Sequence, residues 1–428
     1  MRVLLTTDVF PPICGGSGWS TYELARGLRA RGHEITIVRP RLSRPPDEAD
    51  EFDGFRPLEF RAWAPNVPFL RNYFKHERLE RGFARYLRSV IRERRIEIVH
   101  AQHRLSGPPS IAAARAEGAA VACTVRDYWP LCYWSDLLLD PHRGDVCPAC
   151  TPGRMTRCVR PRAGALWPMA VPLVPYMRAN LRRKQDALAR ADAVVAISSA
   201  IAGDLRARVP ALQHDRGGCA RGLSRDVVTV IPNPVDVRAV QAEADRQTRP
   251  LDRPYALYAG KLEINKGVSK LVPAMAAAGD SVPLVVAGDG AERSRLEAAA
   301  RAAGRDVRCI GWLPRPALLG WMRHAALLVF PSHWPEPFGR VLVEAGAVGC
   351  PAAALATGGV GDIVVHEQTG LLARDDEEFV RHVARLWSDA ALRARLGASA
   401  RRRVEQTFDT PVVVDQVEAL YERLRCAV

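Results

Sequence analysis

The sequence predicts an α/β protein built from two doubly wound domains, and two observations support that prediction. Short apolar runs typical of buried strands alternate with longer amphipathic stretches along most of the 428 residues, as in parallel sheets covered by helices. The alternation occurs in two sets, separated by a polar, proline-ending segment at residues 236–253. Ligands of such sheets bind beyond the carboxyl ends of the strands. We therefore expect two domains that face each other across a cleft.

The first set of strands and helices forms a predicted N-terminal domain at residues 1–240. A helical stretch from Ser20 ends near Gly32, and glycine commonly terminates helices. Continuous apolar runs indicate strands that are buried on both faces of a parallel sheet. These runs are RVLLTT from Arg2, EITIVRP from Glu34, IEIVHA from Ile96, AVACTV from Ala120 and AVVAIS from Ala193.

The second set predicts a C-terminal domain at residues 241–409. Helical stretches such as AERSRLEAAARAAG separate its predicted strands. An amphipathic helix at residues 410–428 follows, and we expect it to pack back on the first domain. The predicted strands are YALYAG from Tyr255, PLVVAG from Pro283, VRCIGW from Val307 and ALLVFPS from Ala326.

The composition is that of a soluble globular protein, with 48% apolar and 25% charged residues. No apolar run reaches the length of about 18 residues that spans a bilayer, and Asp8 interrupts the N-terminal apolar run. We therefore expect a cytoplasmic protein. The net charge of +14 favours anionic partners such as phosphorylated small molecules. The arginines are scattered rather than interleaved with aromatic residues, so we predict no nucleic-acid partner.

Two lysines lie in the loop after the first predicted strand of the second domain. In AGKLEINKG, Lys261 and Lys266 are framed by Gly260 and Gly267. Two cations in a glycine-framed loop at the end of a strand suit a diphosphate. The alternative is a solvated basic turn.

Two glutamates, Glu336 and Glu344, lie eight positions apart in HWPEPFGRVLVEAGAVG. Glu336 falls in a loop before a predicted helix, and Glu344 falls inside that helix among apolar neighbours. Free N–H groups at the helix start form an anion site, and Gly339 allows a ligand close to the backbone. A part-buried carboxylate needs partners, which vicinal hydroxyls would supply to Glu344. The alternative is a packed turn.

The first domain places chemically active side chains at predicted strand ends. His100 and His103 lie at the end of IEIVHAQH, and Arg126 and Asp127 follow AVACTV. Because strand ends face the cleft, these residues are candidates for contact with an acceptor or a sugar. The alternative for each histidine is a satisfied structural role.

Four cysteines lie in one irregular segment of the first half of the chain. The C-x2-C spacing predicts a structural zinc site that pins a long loop, and four unrelated thiols are the alternative. The cysteines are Cys132, Cys147, Cys150 and Cys158.

The stretch from Arg160 combines a proline-broken apolar segment with a basic cluster. This combination is compatible with peripheral contact to an anionic membrane surface. A buried loop followed by a solvated helix face is the alternative. The residues concerned are Trp167, Met169 and Leu173, followed by Arg178, Arg182, Arg183 and Lys184.

The ordered set GKLxxxKG, AGDG, IGW, PEPFGRVLVEA, GG and TGLL resembles the retaining glycosyltransferases of family 4. Those proteins have the GT-B architecture of two Rossmann-like domains, and the E-x7-E arrangement of Glu336 and Glu344 is their signature. The resemblance covers nearly the whole chain. It includes the glycine loop from Pro12 to Gly18, the RGHEITIV segment and the IPNPVD run.

The resemblance implies a role for each matching residue. Lys261 and Lys266 would bind the donor diphosphate and stabilise the leaving group, and Glu336 would contact the transferred sugar. Lysine at 261 replaces the usual arginine and loses its fork geometry. The donor would also be contacted by Glu344 at the ribose, by the amides of Phe338 and Gly339, by Gly15 and Gly16 at the diphosphate, and by the Gly311–Leu313 loop with Trp312 near the base.

Arg126 departs from the family pattern, because a histidine usually precedes the aspartate there. Arginine cannot act as a general base at neutral pH. It could bind an anionic group of the donor or the acceptor, and a structural pair with Asp127 is the alternative.

The resemblance implies a transferase that moves a sugar from a UDP- or GDP-linked donor to a glycan or lipid-linked acceptor, in cell-envelope or polysaccharide biosynthesis. No two aspartates are separated by a single residue, so we expect lysines rather than a metal cofactor to stabilise the diphosphate. A nucleotide-sugar epimerase and a two-lobed sugar-binding protein are the alternatives.

Overall fold

The computed structural model describes residues 1–12, 14–42, 51–66, 70–213, 227–279 and 282–426. The chain divides into two compact units. The first unit comprises Met1–Leu137, Leu173–Pro234 and Val413–Val428, and the second comprises Leu138–Pro172 and Val235–Val412.

The strands are short, and most of them follow the apolar runs of the sequence. They are β1 (Arg2–Thr6), β2 (Glu34–Arg41), β3 (Leu58–Arg61), β4 (Ile98–Ala101), β5 (Ala120–Val125), β6 (Leu138–Asp140), β7 (Asp145–Val146), β8 (Ala193–Ala196), β9 (Val228–Val230), β10 (Ala256–Ala259), β11 (Leu284–Ala287), β12 (Val307–Gly311), β13 (Leu327–Phe330), β14 (Ala352–Leu355) and β15 (Gly370–Ala373).

The α-helices connect these strands. They are α1 (Gly16–Ala30), α2 (Leu70–Tyr73), α3 (Leu79–Glu93), α4 (Gly107–Glu117), α5 (Pro152–Ala163), α6 (Trp167–Ala170), α7 (Val174–Ala189), α8 (Ser199–Arg208), α9 (Val237–Asp245), α10 (Leu271–Ala278), α11 (Arg293–Ala302), α12 (Arg315–His324), α13 (Arg340–Ala347), α14 (Val360–Ile363), α15 (Asp376–Ser388), α16 (Ala390–Thr407) and α17 (Thr410–Arg425).

The first unit is built on a parallel seven-stranded sheet in the order β3-β2-β1-β4-β5-β8-β9. Strands β4, β5 and β8 are buried at every position, as expected for a parallel sheet covered on both faces. From Val413 onward, α17 contributes Val417, Leu420 and Tyr421 to the same apolar core as Val3 and Leu5. The last helix is therefore part of the first unit.

The second unit is built on a parallel six-stranded sheet in the order β12-β11-β10-β13-β14-β15. Its core is formed by residues of the central strands and of the helices α10 and α15. Strands β10 and β13 are direct neighbours, so the loops that follow them emerge side by side at the carboxyl edge of the sheet. Both sheets together are the doubly wound α/β architecture that the sequence predicts.

The boundary region differs from the predicted linker at residues 236–253. Asp236 caps α9 by accepting a hydrogen bond of 2.8 Å from the backbone N–H of Ala239. Gln241 then donates to the carbonyl oxygen of Ala347 over 3.0 Å. The N-terminal half of the predicted linker is thus a capped helix of the second unit.

Residues 138–172 also differ from the predicted division at residue 240, because the structure assigns them to the second unit. Their antiparallel pair β6–β7 leads to α5, which Thr151 caps by accepting from Arg154 N–H. Arg162 donates to the carbonyl oxygens of Leu138 and Leu139, and so ties the helix back to the hairpin. Among the helices of the described residues, none is long and apolar enough to cross a bilayer.

Candidate functional site

The loops after β10 and β13 bring two of the predicted catalytic residues together. Lys266 Nζ donates to Glu336 Oε1 over 2.6 Å, and Ser332 Oγ donates to the same oxygen over 2.7 Å. Glu336 is buried, while Lys266 retains some exposure. Two donors therefore fix the position of the Glu336 carboxylate, and the contact with Glu336 orients the Lys266 ammonium group. Charge-assisted hydrogen bonds of this kind are stronger than neutral ones.

The backbone around Glu336 is fixed by two glycines that no other residue could replace without movement. Gly267 has a φ of +70°, and an added Cβ would lie 1.9 Å from the carbonyl oxygen of Pro331. Gly358 has a φ of +53°, and an added Cβ would lie 2.2 Å from the carbonyl oxygen of Glu336. That oxygen accepts the N–H of Gly359 over 2.7 Å. The close approach of three loops thus depends on glycine.

The two lysines of the first loop have different environments. Lys266 Nζ lies 4.5 Å from the ring centroid of Trp334, within the range of a cation–π interaction. Lys261 is 62% exposed at its side chain and lies 3.7 Å from Glu263. Lys261 is therefore free to move toward a diphosphate, whereas Lys266 is already positioned.

Glu344 is buried in the second turn of α13, and arginines surround it. Its Oε1 accepts from Arg340 Nε over 3.0 Å and from Arg315 Nε over 3.4 Å. Arg315 Nη1 in turn donates to Glu243 over 3.0 Å. Among the described residues, both of these contacts involve the same carboxylate oxygen of Glu344, so Oε2 can accept hydrogen bonds from a ligand.

The start of α13 presents backbone groups rather than an aromatic side chain. The Phe338 ring is buried against Phe408, with ring centroids 5.7 Å apart. Gly339 precedes the helix with a φ of +107°. The packed ring anchors the loop, and the helix start presents N–H groups of the kind that bind anions.

Trp312 is 63% exposed on the loop after β12. It follows Gly311, whose φ of +75° turns the chain at the carboxyl end of that strand. An exposed indole at a strand end can stack on a base, as the resemblance implies.

The β6–β7 hairpin packs against the loops of this site, which the sequence did not reveal. Gly144 has a φ of +74°, and a Cβ there would lie 3.0 Å from His333 Nε2 and 3.4 Å from the backbone of Asn265. The hairpin therefore contacts the residues immediately before Lys266 and Trp334.

In the first unit, Gly15 and Gly16 are exposed at the start of α1. Among the described residues, nothing lies within 4 Å of a Cβ added at Gly15. Helix starts of this kind have N–H groups that can bind an anion.

The carboxyl ends of β1, β4 and β5 gather a cluster of part-buried ionisable side chains. Asp8 accepts from the N–H groups of Leu105 and Ser106, and burial raises its pKa to about 6. Burial also raises the pKa of Asp127 and holds the pKa of His103 well below its usual value. Asp127 and His103 belong to the predicted acceptor side, whereas Asp8 was not predicted.

The hydrogen bonds of His100 favour its structural alternative. Arg126 donates to the carbonyl and side-chain oxygens of Gln102 and to Asn233, which are other partners than the Asp127 of its structural alternative. His100 is fully buried between Tyr421 and Thr124, each 2.7 Å from one ring nitrogen. Burial lowers the pKa of His100 to about 3. His103 differs, because only Nδ1 has a hydrogen-bond partner, Thr7, at 3.0 Å.

The predicted zinc site is not formed. Among the described residues, no group of three or more histidine, cysteine or carboxylate side chains could hold a metal ion. Cys132 donates to Asp136 over 3.8 Å. Cys147 and Cys158 donate to the nearby carbonyl oxygens of Ala149 and Met155, each over 3.3 Å.

Several contributors to the site were missed from the sequence. Arg340 was detectable, because it precedes Glu344 by four residues on a helix, a spacing that brings side chains together. Asp8 lies just after the end of β1, which also marks it as a cleft candidate. Ser332 and Arg315 depend on the tertiary fold, and no sequence pattern indicates them.

Comparison with known proteins identifies the family. Residues 14–239 match the family model described as Glycosyltransferase Family 4, and residues 240–403 match the one described as Glycosyl transferases group 1. The chain is 26% identical over 442 residues to a glycogen synthase of Mycobacterium tuberculosis, covering 98% of this chain and 94% of the relative. It is 30% identical over 403 residues to a D-inositol 3-phosphate glycosyltransferase of Xylanimonas cellulosilytica, covering 90% and 87%.

Solved structures with low sequence identity share the fold. Anabaena HepE in complex with UDP aligns over 99% of this chain and 100% of its own, with a TM-score of 0.68 and 19% identity. Sucrose-phosphate synthase of Thermosynechococcus elongatus aligns over 100% of both chains, with a TM-score of 0.69 and 22% identity. The chain therefore belongs to glycosyltransferase family 4, the retaining transferases of GT-B fold that use a nucleotide-sugar donor.

Proposed function

We propose that the protein transfers a hexose from a UDP-sugar to a glycan or lipid-linked acceptor in cell-envelope or polysaccharide biosynthesis. The observation that supports this most directly is the convergence of Lys266, Glu336 and Ser332 at the carboxyl edge of the second sheet. A second carboxylate, Glu344, is buried eight residues later at the same loop–helix junction. We assign the Glu336 carboxylate to the transferred sugar and the Glu344 carboxylate to the ribose.

The charges at this edge suit departure of a diphosphate. Glycosyl transfer develops negative charge on the leaving group, and preorganised cations and helix N–H groups stabilise such charge. Lys266 is positioned by its contact with Glu336, and the exposed Lys261 is available to bind the diphosphate as well. The start of α13 adds N–H groups at Gly339 and beyond. We assign UDP as the nucleotide because HepE, which shares the fold, was crystallised with UDP and with UDP-glucose.

The acceptor side is proposed to lie at Asp8, His103 and Asp127 in the first unit. The Nε2 atom of His103 is buried without a hydrogen-bond partner in the described part of the chain, so an acceptor hydroxyl would satisfy it. Asp8 titrates near neutrality, which suits a group that exchanges a proton with a hydroxyl.

Peripheral contact with the inner face of an anionic membrane is proposed for the segment around α6. Leu166 and Met169 are 66% and 76% exposed, and the guanidinium of Arg160 lies 5.5 Å from the ring centroid of Trp167. Exposed apolar side chains beside arginine suit the interface of an anionic bilayer. Such contact would bring the enzyme to a lipid-linked acceptor.

The donor assignment is tested by thermal unfolding of wild type and Glu344→Ala with UDP, GDP and ADP, without added metal. A ligand at a hundred times its dissociation constant stabilises by about 2.7 kcal/mol. We expect UDP to stabilise the wild type and to have a smaller effect on the variant. If none of the nucleotides stabilises either protein at millimolar concentration, the glutamates belong to a packed turn and not to a donor site.

Product analysis distinguishes the proposed reaction from its alternatives. Incubation with UDP-sugar and an acceptor should release UDP and extend the acceptor. Conversion of the UDP-sugar without an acceptor would indicate an epimerase. Binding of a glycan without binding of any nucleotide would indicate a sugar-binding protein.

A further inference from the structure

The first unit contains a second candidate site, a cavity of about 640 Å³ between helices α3, α4 and α7. It contains none of the residues assigned above to the donor or the acceptor, so a ligand in this cavity is independent of the proposed function. Its volume is within the range of small-molecule sites. The polar lining residues are Glu77, Glu80, Arg81, Asn180, Arg183, Lys184, Asp186 and Arg190.

Two of the lining side chains are buried with unmet hydrogen bonds. Lys184 is 3% exposed, and its Nζ has no hydrogen-bond partner in the described ranges. The ring of Tyr133 lies nearby, with its centroid 5.4 Å from the Lys184 Nζ. One helical turn earlier, Asn180 is equally buried, and its Oδ1 accepts no hydrogen bond from the described residues. Within these described residues, Lys184 Nζ thus lacks an acceptor and Asn180 Oδ1 lacks a donor, and the two residues lie on the same face of α7.

The surrounding charges do not satisfy the lysine. Burial, and next to it the nearby Arg104, lower the pKa of Lys184 to about 7. Among the carboxylates, Glu80 on α3 favours the charged lysine most strongly, but the described residues include no ion pair between Lys184 and Glu80. Burial raises the pKa of Glu80 to about 7 as well. Glu77, the other carboxylate on this side of the cavity, pairs with Arg183 instead.

The rest of the wall is apolar and made of small side chains, which leaves space beside the lysine. Pro108 and Pro109 form the first turn of α4, and Ala84, Ala112 and Ala187 contribute methyl groups from three helices. A buried polar group without a partner destabilises a protein by about 1–3 kcal/mol. Two such groups beside one cavity indicate a ligand that completes their hydrogen bonds.

We propose that this cavity binds a small hydroxylated anion, whose charged group accepts from Lys184 and whose hydroxyl donates to Asn180. The ligand's carbon skeleton would contact the proline and alanine wall. A carboxylate or a phosphate beside a hydroxyl meets these requirements equally, and the two chemical classes are separated by experiment. The cavity lining includes none of the residues assigned to the donor, which lie in the second unit and at Gly15 and Gly16 of the first.

The test is isothermal titration of the full chain with glycerol 3-phosphate and with gluconate. Glycerol and sorbitol serve as their uncharged counterparts, and inorganic phosphate serves as an anion without a hydroxyl arm. We expect at least one hydroxylated anion to bind wild type, and to bind Lys184→Met at least about tenfold more weakly, since a hydrogen bond to a charged group is lost. Arg182→Met is the matched control, because Arg182 is exposed on the same helix outside the cavity lining, and it should bind like wild type.

Asn180→Ala keeps the test decisive if Lys184→Met does not fold. This variant should weaken the hydroxylated anion about tenfold and leave inorganic phosphate unchanged, because only the hydroxyl arm is lost. Binding of glycerol 3-phosphate alone or gluconate alone supports the proposal and selects the phosphate or the carboxylate class. The proposal is overturned if neither anion binds at millimolar concentration, if the uncharged polyols bind equally well, or if Arg182→Met weakens binding as much as Lys184→Met.

Discussion

Lys266 Nζ and Ser332 Oγ donate to the same oxygen of Glu336, over 2.6 Å and 2.7 Å. The lysine that we assign to the diphosphate and the glutamate that we assign to the sugar therefore form one hydrogen-bonded unit. Removing either residue leaves the other without its main partner. Residues that act as a unit give non-additive effects.

The first prediction concerns this pair. Lys266→Met and Glu336→Gln should each lower kcat by about 100-fold or more, as expected when a group that stabilises the leaving charge or positions such a group is removed. The double variant should be only slightly worse than the worse single variant. The measurement is initial-rate sugar transfer from the UDP-sugar.

Lys270→Met is the matched control for the lysine. Lys270 is close in sequence and pairs with Asp376, so its loss removes one positive charge without touching Glu336. Its kcat should stay within a factor of about two of wild type, since such an ion pair contributes little. Multiplicative losses in the double variant would show that Lys266 and Glu336 act independently.

The second prediction concerns Gly358. Gly358→Ala would place a Cβ 2.2 Å from the carbonyl oxygen of Glu336 at a positive φ, so the loop must shift. We expect a loss of about 1 kcal/mol or more in the free energy of unfolding, and a lower kcat. Gly361→Ala is the control, because nothing lies within 4 Å of its added Cβ. Equal stability and activity in both variants would contradict the fixed backbone of Glu336.

The third prediction concerns the arginines that hold Glu344. Arg315→Met leaves Glu344 Oε1 with Arg340 alone and breaks the contact with Glu243. UDP affinity, measured by titration calorimetry, should fall several-fold, because the carboxylate is less firmly oriented toward the ribose. Arg295→Met, at an exposed pair with Glu292, should bind UDP like wild type. A wild-type affinity in Arg315→Met would show that Arg340 suffices.

The fourth prediction concerns pH and Lys184. Its pKa is lowered from 10.5 to about 7 in the folded state, so between these values the unfolded chain binds a proton that the folded chain does not. The free energy of unfolding should therefore rise with pH in this window, by at most about 1.4 kcal/mol per pH unit. The raised pKa of Glu80 acts in the opposite direction, but only between its usual value of 4.5 and about 7.

The measurement is urea unfolding of wild type, Lys184→Met and Arg182→Met at pH 7.5 and 9. Wild type and Arg182→Met should gain stability relative to Lys184→Met as the pH rises, since only Lys184→Met lacks the titrating amine. Parallel pH dependence in all three proteins would place the amine in contact with solvent or an ion-pair partner.

The fifth prediction concerns the exposed segment around α6. Met169→Glu should reduce cosedimentation with phosphatidylglycerol vesicles, because it removes apolar contact area and adds repulsion from the anionic surface. Phosphatidylcholine vesicles provide the uncharged comparison. If the wild-type protein binds neither kind of vesicle, the segment is ordinary exposed surface and does not contact a membrane.

Much of the fold was predictable because buried parallel strands produce continuous apolar runs. The strands from Arg2, Glu34 and Ala120 illustrate this. The same reasoning placed Lys266 and Glu336 after strands, and since β10 and β13 are neighbours, their loops meet. Residues 138–172 could not be assigned in this way, because their membership of the second unit depends on contacts distant in sequence, such as Gly144 against His333.

Lys184 shows a different kind of error. The sequence grouped it with exposed arginines in a basic cluster, whereas the structure buries it. The information was present in the helix periodicity, because Met177, Asn180, Leu181, Lys184 and Leu188 recur at intervals of three and four residues and form the buried face of α7. The composition of this segment shows only that it is basic. The helical spacing of its apolar residues indicates that Lys184 is the buried one of these basic residues.

Helix α17 also determines the order in which the protein can be completed during synthesis. The first unit takes its last core residues, Val417, Leu420 and Tyr421, from beyond the whole of the second unit. Domains fold as units while the chain emerges, so every segment of the second unit is available before the first unit can close its core. The unit whose chain emerges first thus waits for the last helix to complete its core.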